Sequence, residues 1–240
     1  MNYFLSLHSF YIMSNDYFAF KRFVVHQQHC AMKVGTDGCL LGAWANGGQR
    51  ILDVGTGTGL IAMMMAQRFP ASSVTAIDIN ADAVLQAREN VVGSPFREQV
   101  TVQQADFLMW EAGTRFDVIV SNPPFFIDSL TSPDVQRSEA RHAISLTYED
   151  LMRKSYAMLS DEGECSVVVP FDCRSRMEGA AALAGFVLSR VCAVKTTERK
   201  PPRRYLLAFR KGSSNDVEST ELVIGSAGFV GLMHDFYLKM

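Results

Sequence analysis

Residues 50–59 read RILDVGTGTG, and this stretch decides the fold. Ile51 to Val54 is an apolar, β-branched-rich run, the pattern of a strand buried on both faces. Gly55, Gly57 and Gly59 follow, where the backbone can turn tightly and come close to a ligand. Leu60 to Phe69 then has helical character and stops at Pro70. Strand, glycine turn and helix in succession open a parallel sheet covered by helices.

Working outward, SVTAID at 73–78 is a second strand and Ala81 to Val92 an amphipathic helix, with Asn80 or Asp82 near its start. VTVQQA at 100–105 and FDVIVS at 116–121 are the third and fourth strands. Tyr148 to Leu159 is helical, and ECSVVVP at 164–170 is the fifth strand. FVLSRVCAVK at 186–195 and RYLLAFRK at 204–211 are joined by TTERKPPR with no helix between them, which predicts an antiparallel hairpin. The expectation is an α/β fold whose mostly parallel sheet ends in that hairpin. The tail after Gly212 starts polar and flexible and ends in HDFYLKM, apolar enough to dock.

The chain has 240 residues, 48% of them hydrophobic and 20% charged, which suits one α/β domain with short appendages. The expected division is an extension over 1–17, the main domain over 18–211 and a tail over 212–240. A net charge of −2 argues against a general nucleic-acid coat protein and leaves room for a local basic patch. Cysteines stand at 30, 39, 165, 173 and 192, an odd number without CxxC spacing. They read as reduced core thiols, with neither a disulfide framework nor a metal site expected. The opening MNYFLSLHSFYIM has no Lys or Arg before its apolar run and no cleavage site after it, so it reads as a loose extension, with Met13 an alternative start. A cytoplasmic protein is expected, with no membrane partner.

Three acids end successive strands. Asp53, just before the glycine turn, suits a ligand carrying an ammonium, such as S-adenosylmethionine. A dinucleotide pyrophosphate would avoid a carboxylate there. The alternative is that Asp53 caps the following helix. Asp78 is placed to accept two ribose hydroxyls, or is a solvated strand-end charge; Ile79 beside it can press on an adenine face. Asp106, followed by Phe107, is placed to accept from an adenine amino group or to cap a helix.

SNPPFF at 121–126 is the most specific feature. Two prolines fix the backbone and remove two N–H donors. What they leave is acceptor-rich: the Asn122 side-chain oxygen and the Pro123 carbonyl, with Phe125 as an aromatic plate. An exocyclic amine has its lone pair delocalised and is a poor nucleophile. Two acceptors on its hydrogens favour the pyramidal form and stabilise charge as a methyl group arrives, and an aromatic face stacks on an extruded base.

With these motifs in hand, the chain resembles the class I S-adenosylmethionine-dependent methyltransferases. More narrowly it resembles the bacterial tRNA1(Val) adenine-N6 methyltransferases, which modify the adenosine just 3′ of the anticodon. The resemblance runs from about Phe18 to Lys211 and includes the DFYLKM end. It is carried by FKRFVVHQQHCAMKVGTDGCLLGAW at 20–44, DVGTGTG, AIDIN, QADF, NPPF, SPDVQRSEARH at 132–142 and KPPRRYLLAF at 200–209. The longer N-terminus and a shortened VIGSAGFVG segment depart from the family pattern. The resemblance implies a Rossmann-like sheet of seven strands with helices on both faces, and a tRNA anticodon loop as partner; a monomer is favoured, with the oligomeric state open. It also implies a lead-in segment, Lys33, Val34, Gly35, Thr36 and Asp37, that approaches the cofactor. NPPF itself is shared with guanine-N2 ribosomal RNA and glutamine-N5 protein methyltransferases, so the flanking segments carry the narrower reading.

Lys195, Arg199, Lys200, Arg203, Arg204, Arg210 and Lys211 fall in or beside the hairpin against Glu198 alone, suiting phosphate contact. Arg137, Arg141 and His142 follow NPPF and extend that set. A solvated basic edge strand is the alternative. Two other functions stay open: an RNA-binding module that keeps the fold without catalysis, and a nicotinamide oxidoreductase, for which the GxGxxG spacing is missing.

Overall fold

The computed structural model describes residues 16–29, 33–123, 146–212 and 216–239. A short antiparallel pair comes first, β1 (Tyr17–Ala19) and β2 (Val24–His26), followed by helix α1 (Thr36–Trp44). The main alternation is β3 (Arg50–Val54), α2 (Leu60–Arg68), β4 (Ser73–Asp78), α3 (Ala81–Val92), β5 (Val100–Gln104) and β6 (Phe116–Ser121). Then come α4 (Tyr148–Met158), β7 (Leu159–Pro170), α5 (Arg174–Leu183), β8 (Phe186–Lys195), β9 (Arg204–Lys211), β10 (Glu218–Val223) and α6 (Ala227–Met233).

The strands order as β10-β8-β9-β7-β6-β3-β4-β5. Every neighbouring pair is parallel except β7/β9 and β8/β9, so β9 alone runs against the rest. The class is the expected one and the hairpin is present, but the sheet has eight strands, not seven. The extra strand comes from the segment read as flexible tail. Glu218–Glu221 are polar and exposed, so the segment carries no apolar alternation, yet its backbone pairs with β8 as an edge strand and Leu222 reaches the core.

Both faces of the sheet are covered. In β3, Ile51 and Leu52 are fully buried and point to opposite layers. Ile51, Val74, Val118 and Val168 pack with α1, α2, α3 and α6 on one face. Leu52, Ile119, Val167 and Leu207 pack with α4 and α5 on the other. Helix α1 lies directly on α2 because Gly38 and Gly42 face it. A Cβ on Gly42 would stand 2.9 Å from Met64 Cβ, and one on Gly38 would stand 3.3 Å from Leu60 Cδ2.

The chain moves from β3 outward to β4 and β5, then returns to place β6 on the other side of β3. That reversal leaves a crevice at the carboxyl ends of the strands, where open α/β sheets bind ligands.

Candidate active site

A cavity of about 1190 Å³ opens at this reversal. Its walls include Gly55 and Gly57 after β3, Asp78 and Ile79 after β4, Asp106 and Phe107 after β5, and Asn122 and Pro123 after β6. Parallel pairing sets Val54 opposite Ser121, so the glycine turn and the Asn122 turn leave the sheet side by side. The Ser121 hydroxyl donates to the Val54 carbonyl at 2.8 Å and ties the two exits together.

Gly55, Gly57 and Gly59 have φ of +72°, +55° and +82°. A Cβ on Gly55 or Gly57 would meet nothing within 4 Å, because both face the open cavity. Gly59 has a different role. It is outside the cavity wall, at the start of α2, where a Cβ would stand 3.4 Å from Ala87 Cβ of α3.

Asp53 is also off the cavity wall, buried behind the turn. One carboxylate oxygen accepts from the Thr56 hydroxyl at 2.6 Å and from the Ala62 amide at 3.2 Å, so Asp53 does support the start of α2. The other oxygen is buried with no partner among the described residues. Burial raises its pKa to about 7, opposed by the Thr56 and Ala62 hydrogen bonds and assisted by the nearby Asp78 charge. An unsatisfied carboxylate oxygen beneath the turn favours a cationic ligand group at this end of the cavity.

Asp78 accepts from the Gly57 amide and the Asn80 amide, each at 2.9 Å, which fixes its carboxylate beside the turn. Its oxygens keep lone pairs for further donors. Ile79 next to it is 49% exposed, an apolar plate at the cavity rim. Asp106 accepts from the Leu108 amide at 2.9 Å, capping the turn after β5 while facing the cavity. The Phe107 side chain is buried in the core of the α4/α5 face. Glycines that clear space, two strand-end carboxylates and an apolar plate fit the amino-acid, ribose and adenine parts expected of S-adenosylmethionine.

The lead-in segment forms the opposite wall through His29, Lys33, Val34, Gly35, Thr36 and Asp37. Two buried amides of α3 seat it. Asn90 accepts from the His26 amide and donates to the His26 carbonyl, both at 2.8 Å, and donates to the Thr58 carbonyl at 2.9 Å. Gln86 accepts from the His29 amide at 3.1 Å. Sequence reading missed these two, and also Leu146, Thr147 and Asp150, which line the cavity from the start of α4. The signal for the latter was available: TYED at 147–150 has capping spacing, and the Thr147 hydroxyl oxygen accepts from the Asp150 amide at 3.1 Å. Asp150 stays below its usual pKa because Arg153 and the Thr147 hydroxyl hydrogen-bond its carboxylate.

The basic set divides. Arg199, Lys200 and Arg203 are exposed on the hairpin loop. Arg204 lines the cavity and binds Asp37 at 2.6 Å, so it braces the wall. Lys195 pairs with Glu221 of β10 at 2.6 Å. Arg210 and Lys211 do not join the cluster. Antiparallel register puts Arg204 opposite Pro170 and Arg210 opposite Glu164, so Arg210 and Lys211 lie at the far end of the sheet. There Arg210 pairs with the buried Glu164 at 3.0 Å, and the Lys211 ammonium donates to the Leu159 carbonyl at 2.8 Å. Phe125, Arg137, Arg141 and His142 lie outside the described residues.

The family model of the methyltransferase small domain matches residues 35–178. The chain is 48% identical over 200 residues to the tRNA1(Val) (adenine(37)-N6)-methyltransferase of Bacteroides thetaiotaomicron, covering 82% of this chain and 84% of that one. The chain belongs to the tRNA1(Val) (adenine(37)-N6)-methyltransferase family. A second member, from Parabacteroides distasonis, is 45% identical over 238 residues, 95% of this chain and 100% of its own. Among solved structures, a predicted O-methyltransferase from Agrobacterium tumefaciens superposes with a TM-score of 0.63 at 19% identity, covering 80% of this chain and 89% of that one. That likeness shows the Rossmann-like class I methyltransferase fold. In this member of the tRNA1(Val) methyltransferase family, the glycine turn and Asn122 stand side by side at the cavity.

Proposed function

We propose that this chain methylates N6 of adenine 37 in tRNA1(Val), the activity its relatives' names print, with S-adenosylmethionine as methyl donor. The observation that carries the site assignment is the adjacency of two turns in one cavity, Gly55–Gly57 after β3 and Asn122–Pro123 after β6. Bound at the first, S-adenosylmethionine supplies an electrophilic methyl group on a cationic sulfur. Lys33, Thr36, Gly55, Gly57, Asp78, Ile79 and Asp106 would hold it, with Asp53 countering its charge from beneath.

The second turn handles the nucleophile. The Asn122 side-chain oxygen and the Pro123 carbonyl accept the two amine hydrogens, which directs the nitrogen lone pair outward and stabilises the positive charge that develops. Pro123 keeps that acceptor pair rigid, so little reorganisation is needed at the moment of reaction. We assign Phe125 its stacking role on the base from the sequence alone. No strong base is required, because the methylated ammonium is acidic and releases its proton to water. Exposed Arg199, Lys200 and Arg203 contact phosphates of the anticodon loop. No helix among the described residues is long and apolar enough to cross a membrane. The reading is of a cytoplasmic tRNA-modifying enzyme.

The test is transfer of labelled methyl from the cofactor to unmodified tRNA, followed by nucleoside mass spectrometry. The expected product is N6-methyladenosine. Label on guanosine N2, or on protein glutamine, would replace this substrate assignment with one of the other NPPF activities.

A further inference from the structure

The cavity accounts for one base. Beyond its rim, where β7 ends, the fold displays a second aromatic surface that the reaction does not use. Phe171, at the start of the 3-10 turn Phe171–Cys173, is 46% exposed. An exposed phenylalanine normally samples several orientations, but this one is held. Its ring stacks on Tyr205 with centroids 6.0 Å apart and planes at 27°. Tyr205 is itself buried, and the Arg174 guanidinium lies 4.5 Å from its ring centroid. The Phe171 amide donates to the Arg203 carbonyl at 3.1 Å, which fastens the 3-10 turn to the basic hairpin.

Cation-bearing segments adjoin this plate: Arg203 supplies the carbonyl that holds the Phe171 amide, and Arg176 follows on α5. Arg199, Lys200 and Arg203 are exposed on the hairpin. Toward the cavity, the Arg176 guanidinium sits 5.7 Å from the ring centroid of Tyr148, whose neighbour Thr147 lines the cavity. Opposing charge is limited: Asp172 and Glu198 are exposed, and Glu178 is taken by Arg174 at 2.7 Å. A pre-oriented aromatic face among cations, next to a pocket for one extruded base, is what single-stranded nucleic acid recognises. Bases stack on the ring and phosphates meet the cations.

We infer that Phe171, fastened to the basic hairpin at Arg203, is a stacking subsite for an unpaired nucleotide flanking the target adenine. The inference rests on the tRNA reading above. Its ligand is one base of a single strand, held by its face and not by its hydrogen-bonding edge. The subsite therefore grips the loop without selecting sequence strongly, and it fixes how far the strand must be splayed to put the target amine at Asn122.

The test uses the full chain and a fluorescent anticodon stem-loop, with binding measured directly. Phe171→Ala should raise the Kd on the order of tenfold, while Phe171→Tyr keeps it. Cofactor affinity should stay that of the parent, since the ring is off the cavity wall, and Phe171→Tyr, which keeps the packing on Tyr205, controls for any loss of stability in the alanine variant. Stem-loops with an abasic site on either side of the target complete a double-mutant cycle. At one of the two positions the abasic change should weaken the parent protein but add nothing in Phe171→Ala. If Phe171→Ala binds like the parent, or if the abasic penalty is the same in both proteins at both positions, the subsite is refuted. Should the parent methylate guanosine or protein instead of tRNA adenine, the tRNA reading itself fails, and the subsite with it.

Discussion

Gly57 and Gly59 stand two residues apart in one turn, and their substitution by alanine should separate ligand space from fold. Both have positive φ, +55° and +82°, so alanine at either costs about 1–2 kcal/mol of backbone strain. For a chain of this length that lowers the melting temperature by roughly 2–8 °C. The difference lies in where the methyl group goes. At Gly57 it meets no atom of the protein within 4 Å and projects into the cavity. The Gly57 amide that donates to Asp78 is retained, so that hydrogen bond survives. The added cost therefore falls on the bound cofactor, and overpacking of about 1–3 kcal/mol corresponds to a Kd raised roughly 5- to 150-fold. At Gly59 the methyl packs 3.4 Å from Ala87 Cβ, away from the cavity. Gly59→Ala should lose at least as much thermal stability and far less affinity. Calorimetry with S-adenosylmethionine, paired with thermal melts, reads both effects. Equal affinity in Gly57→Ala and the parent, or equal loss of affinity in the two variants, would refute the placement of the cofactor against Gly57.

Asn122→Ala removes one of two acceptors that act mainly in the transition state, so kcat should fall about 10²- to 10³-fold with cofactor Kd little changed; loss of cofactor binding with turnover intact would contradict its role. Asp53 is carried into the fold with its pKa raised from 3.8 to about 7. The folded state thus holds a proton that the unfolded chain has already released between about pH 4 and pH 7. Stability drawn from this group is full below pH 4, declines through that window and levels above it, by at most about 4 kcal/mol. Asp53→Asn should remove this part of the decline in a series of denaturant melts, and an unchanged pH profile would show that Asp53 is solvated. Replacing Arg199, Lys200 and Arg203 together with alanine should flatten the slope of log K against log salt for tRNA by about 2, whereas Lys195, already paired with Glu221, should change it less. A slope equal to the parent's would assign the loop no phosphate contacts.

The strands that carry the site were legible because each is a dense apolar run, and β3, β4 and β6 start and stop where their residue patterns say. Asp78 and Asp106 were legible because a charge following a buried strand marks the point where the chain surfaces; Asp53 instead lies buried within β3, and its neighbouring glycine turn is what drew attention to it. Helix α1 was not. TDGCLLGAW holds two glycines and is buried on nearly all sides, so neither propensity nor amphipathic period announces it. Strand β10 escaped because an exposed edge strand needs only backbone partners. What no local pattern could separate was charge from charge. Arg203 and Arg210 look alike in sequence, yet the antiparallel register of β9 puts one at the cavity end and the other on Glu164 at the opposite end. Phe171 was equally silent, because its exposure and its stacking on Tyr205 arise only from the fold.

The most direct measurement is a crystal structure of the chain with a non-transferable cofactor analogue and adenosine or a short stem-loop bound. The prediction is that the adenine N6 lies between the Asn122 side-chain oxygen and the Pro123 carbonyl, roughly 3–3.5 Å from where the transferred carbon would sit. An adenine bound elsewhere, or Asn122 turned away from the cofactor, would contradict it.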